Sequence, residues 1–258
     1  MKRYHAQLIF VATLWLIIPQ AQAQEPSWLK QYGNSKANMG LRMTYDDQGG
    51  LFGVGRASGP TLDIDDTTVT VEGLQDILVV HLDTAGILQW ARTAGGYCPP
   101  GEDNDSGGLL VYDSGTELVI ISGAFSCSQI ELGDIILNGN PTSNNRFVTG
   151  LDQSGSFQWA RAASGYSISF MELLTDEESN IFVVGSARTS GITFQNTPPV
   201  NLPTGGFVAK YSSDGTLLDA QRVLLNGELL SAGWTGADAW VLTGAARPNA
   251  ALYGEPME

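Results

Sequence analysis

The side chains best suited to covalent chemistry are Cys98 and Cys127, the two cysteines of the 258-residue chain. Their fate depends on the compartment, and the N-terminus names it. Lys2 and Arg3 precede an apolar run from Leu8 to Ile18, and Ala21-Gln22-Ala23 offers a small-x-small cleavage site before Gln24. The run is shorter than the about 18 to 20 residues that span a bilayer. Residues 1–23 therefore read as a signal peptide, and 24–258 as a mature chain without a membrane span. Exported thiols oxidise. If the stretch Leu109 to Asp113 pairs with Leu118 to Ser126, Cys127 falls opposite residues near Glu102, a short loop from Cys98. The expectation is a Cys98–Cys127 disulfide closing a loop of about 30 residues, worth roughly 3 kcal/mol by loop entropy.

Oxygen ligands gather in Pro99 to Gly108, where Asp103 and Asp105 are candidates for calcium. Calcium wants about six to eight oxygens, and the loop has no glutamate at the twelfth position and no counterpart elsewhere in the chain. A solvated acidic turn is the preferred reading, with no cofactor and calcium as its alternative. Histidine is scarce: His5 leaves with the signal peptide, and His81 sits inside an apolar run. That argues against Ser-His-Asp or Cys-His catalysis and against histidine-rich zinc sites. No glycine-rich loop follows a strand and opens a helix, so phosphate binding of that kind has no support. Paired carboxylates for glycoside hydrolysis stay open, because 27 acids offer many pairs. Cleavage leaves 11 basic residues, the 13 less Lys2 and Arg3, against those 27 acids, a formal charge of −16. Such a surface repels phosphate backbones and excludes nucleic acid as a partner. With 43% hydrophobic residues the acidity does not signal disorder.

What must position these groups is a repeat. Leu88-Gln89-Trp90-Ala91-Arg92 returns as Phe157-Gln158-Trp159-Ala160-Arg161, more weakly as Leu218 to Arg222, and in degenerate form around Trp28. Each later copy comes after a turn: Asp83 to Gly86, Asp152 to Gly155, or Ser212 to Gly215. Each turn comes after an apolar, β-branched stretch, so the pair reads as a hairpin. A second hairpin succeeds each Trp segment, and its returning strand carries Gly55, Gly123, Gly185 or Gly244 at one place. Two hairpins make four antiparallel strands, giving units at approximately 34–96, 97–165 and 166–227 and a partial one at 228–258. The spacers inside the units vary in length and hold short β-like pieces, such as Thr67 to Val71. No long amphipathic helix is legible, and the class is all-β.

Four-stranded sheets recurring with an aromatic marker match the propeller signature. Trp90-Ala91-Arg92, Gly95-Gly96, Asp105, Asp113-Ser114-Gly115 and Gly123 resemble the bacterial SBBP-type β-propeller repeat family, over most of residues 26 to 247. Counting strands along the repeat gives about 3.5 to 4 blades, with Trp28, Trp90 and Trp159 and the four glycines as repeat-core positions. A fragment of a longer propeller is preferred over a ring closed by the Trp28 strand. The functional expectation is a non-catalytic exported scaffold, in the periplasm, at the cell surface or outside the cell, that binds a protein or glycan. The second reading is a carboxylate- or metal-dependent hydrolase or lyase with its site at the propeller axis.

Overall fold

The computed structural model describes residues 39–72, 74–96, 105–189, 191–195, 198–234 and 240–252. These residues are all-β, with no helix among them and so none long and apolar enough to cross a membrane. In chain order the strands are β1 (Met39–Tyr45), β2 (Leu51–Ser58), β3 (Thr61–Ile64), β4 (Thr67–Thr70), β5 (Gln75–Leu82) and β6 (Leu88–Ala94). β7 (Ser106–Asp113), β8 (Leu118–Phe125), β9 (Gln129–Leu132), β10 (Ile135–Asn138), β11 (Asn144–Leu151) and β12 (Phe157–Gly165) repeat that order. β13 (Ile168–Thr175), β14 (Ile181–Ala187), β15 (Ile192–Phe194), β16 (Val200–Leu202), β17 (Gly205–Tyr211) and β18 (Leu217–Trp234) repeat it again, and β19 (Trp240–Leu252) comes last.

The plan of each repeat is an antiparallel meander of four strands with a small hairpin inserted between the second and third. The first sheet is that plan alone, β1-β2-β5-β6, with β3-β4 as its insertion. The other two sheets are larger than the expected four strands. The insertion β15-β16 reaches back to the preceding sheet, pairing Ala163 with Phe194 and Ser164 with Thr193, so that sheet becomes the six-stranded β16-β15-β12-β11-β8-β7. The insertion β9-β10 makes the same reach with one bridge, Gly95 to Glu131. β18 runs on past its pairing with β17 and folds against β19, which makes the last sheet five-stranded. One sheet curls into a half-barrel.

Both faces of the central strands are buried, which is why the sequence shows apolar runs there rather than alternation. In β8, Val119 and Ile121 pack with Phe52, Val54, Ile77 and Val79 of the first repeat. Ile120, between them, faces the other way, into a core with Ile181, Val183 and Phe207 of the third. The repeats therefore stack face to face, each central strand serving two cores. Full burial of a side chain such as Phe147 contributes about 2 to 3 kcal/mol. The insertion β3-β4 covers the free face of the first sheet, where Leu62, Ile64, Val69 and Val71 pack on Leu78 and Val80.

Candidate functional site

In a meander, the turns joining strands one to two and three to four lie at the same end of the sheet. Six such turns line one end of this molecule, and an aspartate organises each. Asp46 Oδ1 accepts the Gln48 and Gly50 amides at 2.8 and 2.7 Å. Asp83 Oδ1 holds Ala85 and Ile87, Asp152 Oδ1 holds Ser154 and Ser156, and Asp176 Oδ1 holds Glu178 and Asn180. Asp113 accepts the Thr116 amide and Asp214 the Thr216 amide. These are Asx-type turns, the carboxylate standing in for a backbone carbonyl. Hydrogen bonding to the charged form lowers a carboxyl pKa. The Ser212 hydroxyl and the Thr216 amide hold Asp214 down at about 2. Burial pulls Asp46 and Asp152 upward, but their hydrogen bonds outweigh it and both lie below the ordinary value. Six of the 27 acids counted in the sequence are thus turn architecture.

The same end explains the Trp-Ala-Arg marker. The Trp90 indole donates to the Gln153 carbonyl at 2.8 Å, and Arg92 Nη2 donates to the Ser154 carbonyl at 3.2 Å, both in the third-to-fourth-strand turn of the next repeat. Arg92 also lies 5.5 Å from the Trp90 ring centre. One repeat later Trp159 packs on the turn at Gly215, and Arg161 Nη2 approaches the Asp214 carbonyl at 3.5 Å. The Trp159 indole N–H has no partner among the described residues. The turns under these rings carry Gly155 and Gly215, at φ 80° and 77°. The first-to-second-strand turns meet no such ring, and they place Glu117 and Ser179 at positive φ as well as Gly49. Glycine in the first set thus answers to the indole as well as to the backbone. Trp90 and Trp159 are fasteners between repeats.

A cluster that the sequence did not announce lies beside the first of these turns. His81 Nε2 sits 3.1 Å from Asp46 Oδ2, and its ring stacks on Phe52 with centres 4.3 Å apart. Trp90 and Tyr112 flank the stack, and Gln153 donates to the Tyr112 hydroxyl at 3.1 Å. Burial, reinforced by the charges of Asp47, Glu117 and Asp46, pushes the Tyr112 phenol up. A Cβ on Gly50 would come within 2.6 Å of Asp46 Oδ2 and 2.9 Å of His81 Nε2, so a glycine lets the pair form. The pair joins a turn to a strand. Asp46 Oδ1 is committed to amides, and His81 lies under aromatic rings. The partners are 35 residues apart, with no local pattern to link them.

At the opposite end are the inserted hairpins and the connections between repeats. Here β6, β4 and the β9 hairpin enclose a polar cleft of about 350 Å³ lined by Thr70, Glu72, Asp76, Arg92, Thr93 and Glu131. Asp76 is buried and its Oδ2 accepts the Glu72 amide at 2.8 Å, while Glu72, Arg92 and Glu131 are exposed. The Thr93 hydroxyl donates to the Thr70 carbonyl at 2.8 Å, fixing one wall.

Of the residues singled out from sequence, Trp28, Cys98 and Asp103 lie outside the described residues. Asp105 is fully buried, and its two oxygens accept the Gly96 amide at 2.8 Å and the Ser126 amide at 3.1 Å. That carboxylate ties the connection between repeats to the end of β8. The described residues hold no group of three or more histidine, cysteine, aspartate or glutamate side chains placed for a metal. Cys127 is buried, with Sγ 3.8 Å from the carbonyl oxygen of Gly96, two residues before Cys98 in the chain. Gly55, Gly123 and Gly185 face Leu78, Phe147 and Phe207 across the sheet. A Cβ at Gly123 or Gly185 would meet the facing phenylalanine ring at 2.6 Å, so these glycines make room for it. Gly244 faces Leu229 on β18. The chain matches no protein-family model, and no curated protein shows significant similarity to it.

Proposed function

We propose that the chain is an exported, non-catalytic scaffold of the β-propeller kind, a full or partial ring, that binds a glycan at the loop end of its repeats. The observation that carries this reading is the polar cleft at the loop end. There Glu72 and Glu131 stand exposed around a cleft whose wall also carries Thr70 and Thr93. Exposed carboxylate acceptors and threonines suit a polyhydroxylated ligand, whose hydroxyls donate and accept in turn. The reading includes export through residues 1–23 and a Cys98–Cys127 disulfide that clamps the connection beside the cleft. The buried position of Cys127 near Gly96 supports the latter. It involves no cofactor.

The test is a saccharide panel presented to the purified chain from Gln24 onward, with calorimetry on any hit. Saturable binding that weakens at least about tenfold in Glu131→Gln or Glu72→Gln, with the melting temperature unchanged, is expected; a tenfold loss corresponds to about 1.4 kcal/mol. Absence of any saccharide ligand, or binding indifferent to both substitutions, contradicts the glycan reading.

A further inference from the structure

We propose that the outer edge of β19 is a docking edge for one antiparallel strand of a partner polypeptide, carrying a large apolar side chain, phenylalanine by preference, opposite Gly244. The inference uses only the internal repeat and stands apart from the glycan reading. β19 occupies the place of a second strand. It pairs with β18 from Trp234–Trp240 through Leu229–Gly244, as β14 pairs with β13 and β8 with β7, and Gly244 falls where Gly123 and Gly185 fall. β2, β8 and β14 are each sandwiched, with a third strand on the far side. β19 pairs only with β18 among the described strands.

Burial differs accordingly. β14 is buried along its whole length, whereas residues 241–249 of β19 are exposed, Val241 at 49% and Leu242 at 37%. In the second and third repeats the third strand sets a phenylalanine ring against the glycine of the second. Gly244 keeps one half of that environment. Its Cβ would meet the Glu228 carbonyl oxygen at 2.2 Å, as those of Gly123 and Gly185 would meet the carbonyls of Ser106 and Ser169. No ring among the described residues lies on its other side; instead an apolar groove of about 550 Å³ runs there, walled by Leu224, Leu229, Leu242, Gly244 and Ala246. Among the described residues two features, a strand edge with no further strand on it and an apolar groove at the glycine, thus call for the same occupant.

Unpaired edges recruit strands, and native proteins blunt them with charges, proline or shortness. From Trp240 to Ala246 this edge has none of these, and the blunting residues Arg247 and Pro248 come only beyond that stretch. A second copy fits less well, since the edge it would bring is β19 itself, whose stretch Val241 to Ala251 contains no aromatic side chain to fill the groove.

The probe is a fluorescein-labelled peptide with the sequence of Gly205–Tyr211, extended by lysines for solubility and titrated into the full chain. Saturable binding is expected. It should weaken at least tenfold when the peptide's phenylalanine, the counterpart of Phe207, is replaced by alanine. It should also weaken with the chain variant Leu242→Lys, an exposed site where lysine leaves the melting temperature unchanged. No saturable binding, or equal binding of the alanine peptide, overturns the inference. So does a dimer in sedimentation that Leu242→Lys dissolves, because a second copy then takes the edge.

Discussion

Replacing Gly215 by alanine tests the fastening of one repeat to the next. The residue sits at φ 77°, and an added Cβ would lie 2.3 Å from Trp159 Cε3 and 2.5 Å from Cδ2. The substitution carries two costs. Holding alanine in the left-handed region costs about 1 to 2 kcal/mol. Pushing a ring that is 7% exposed out of its packed position adds the overpacking cost of about 1 to 3 kcal/mol. Gly49 provides the comparison, because it shares the backbone conformation at φ 82° and its Cβ would touch only the end of the Thr84 side chain, at 3.2 Å. Gly49→Ala should therefore carry only the first cost. Gly155, whose Cβ would sit 3.0 Å from the Trp90 ring, should fall between the two. Urea unfolding with a constant m-value reads the difference. In a Trp159→Ala background the second cost should vanish, giving a coupling of about 1 to 3 kcal/mol. If Gly215→Ala costs no more than Gly49→Ala, or the same with and without the indole, Trp159 is no fastener.

Acid should weaken the fold with a definite sign. The folded carboxyls of Asp46, Asp152 and Asp214 titrate below the unfolded value of about 3.9. Their stabilisation is complete above that value and is lost as pH falls through the folded pKa, with Asp214 holding until near 2; urea midpoints that stay flat from about pH 5 to 2 would contradict this. Asp105→Ala removes a buried carboxylate from two amides and should cost about 2 to 4 kcal/mol. Because those oxygens are already engaged, calcium should leave the melting temperature of the parent chain where it was, and a marked rise would show a site at this loop. Gly50→Ala should separate Asp46 from His81 and cost about 1 to 3 kcal/mol, readable as a shift of the His81 ring signals in NMR; unchanged signals would mean that the turn accommodates the methyl.

The hairpins were legible because their signals are local. Aspartate, a positive-φ glycine and flanking β-branched runs specify turn and register within about ten residues. The variable spacers betrayed strand character at Thr67 to Val71, and the structure makes each spacer a hairpin. What those hairpins do next was hidden, since β15 meets β12 across residues about thirty apart and through backbone groups that carry no side-chain signature. The same holds for Trp90, whose partner carbonyl at Gln153 is 63 positions away. The repeat marked that tryptophan as structural without revealing what it grips. Asp105 shows the converse: placed by the sequence in a solvated acidic turn, with calcium as the alternative, it is buried, and its carboxylate accepts two backbone amides. β18 was divided in the sequence by the boundary between repeats, yet its strand runs from Leu217 to Trp234 through an irregularity at Asn226, at φ 49°, where the register against β19 shifts.

The central claim is binding without chemistry, and product analysis tests it most directly. Every saccharide that the purified chain binds would be incubated with it at stoichiometric concentration and examined by mass spectrometry, with and without added divalent cations. A non-catalytic scaffold returns each ligand intact, and that is the predicted result. Cleavage or elimination products that disappear in a carboxylate variant such as Glu131→Gln or Asp46→Asn would make the chain an enzyme and contradict it.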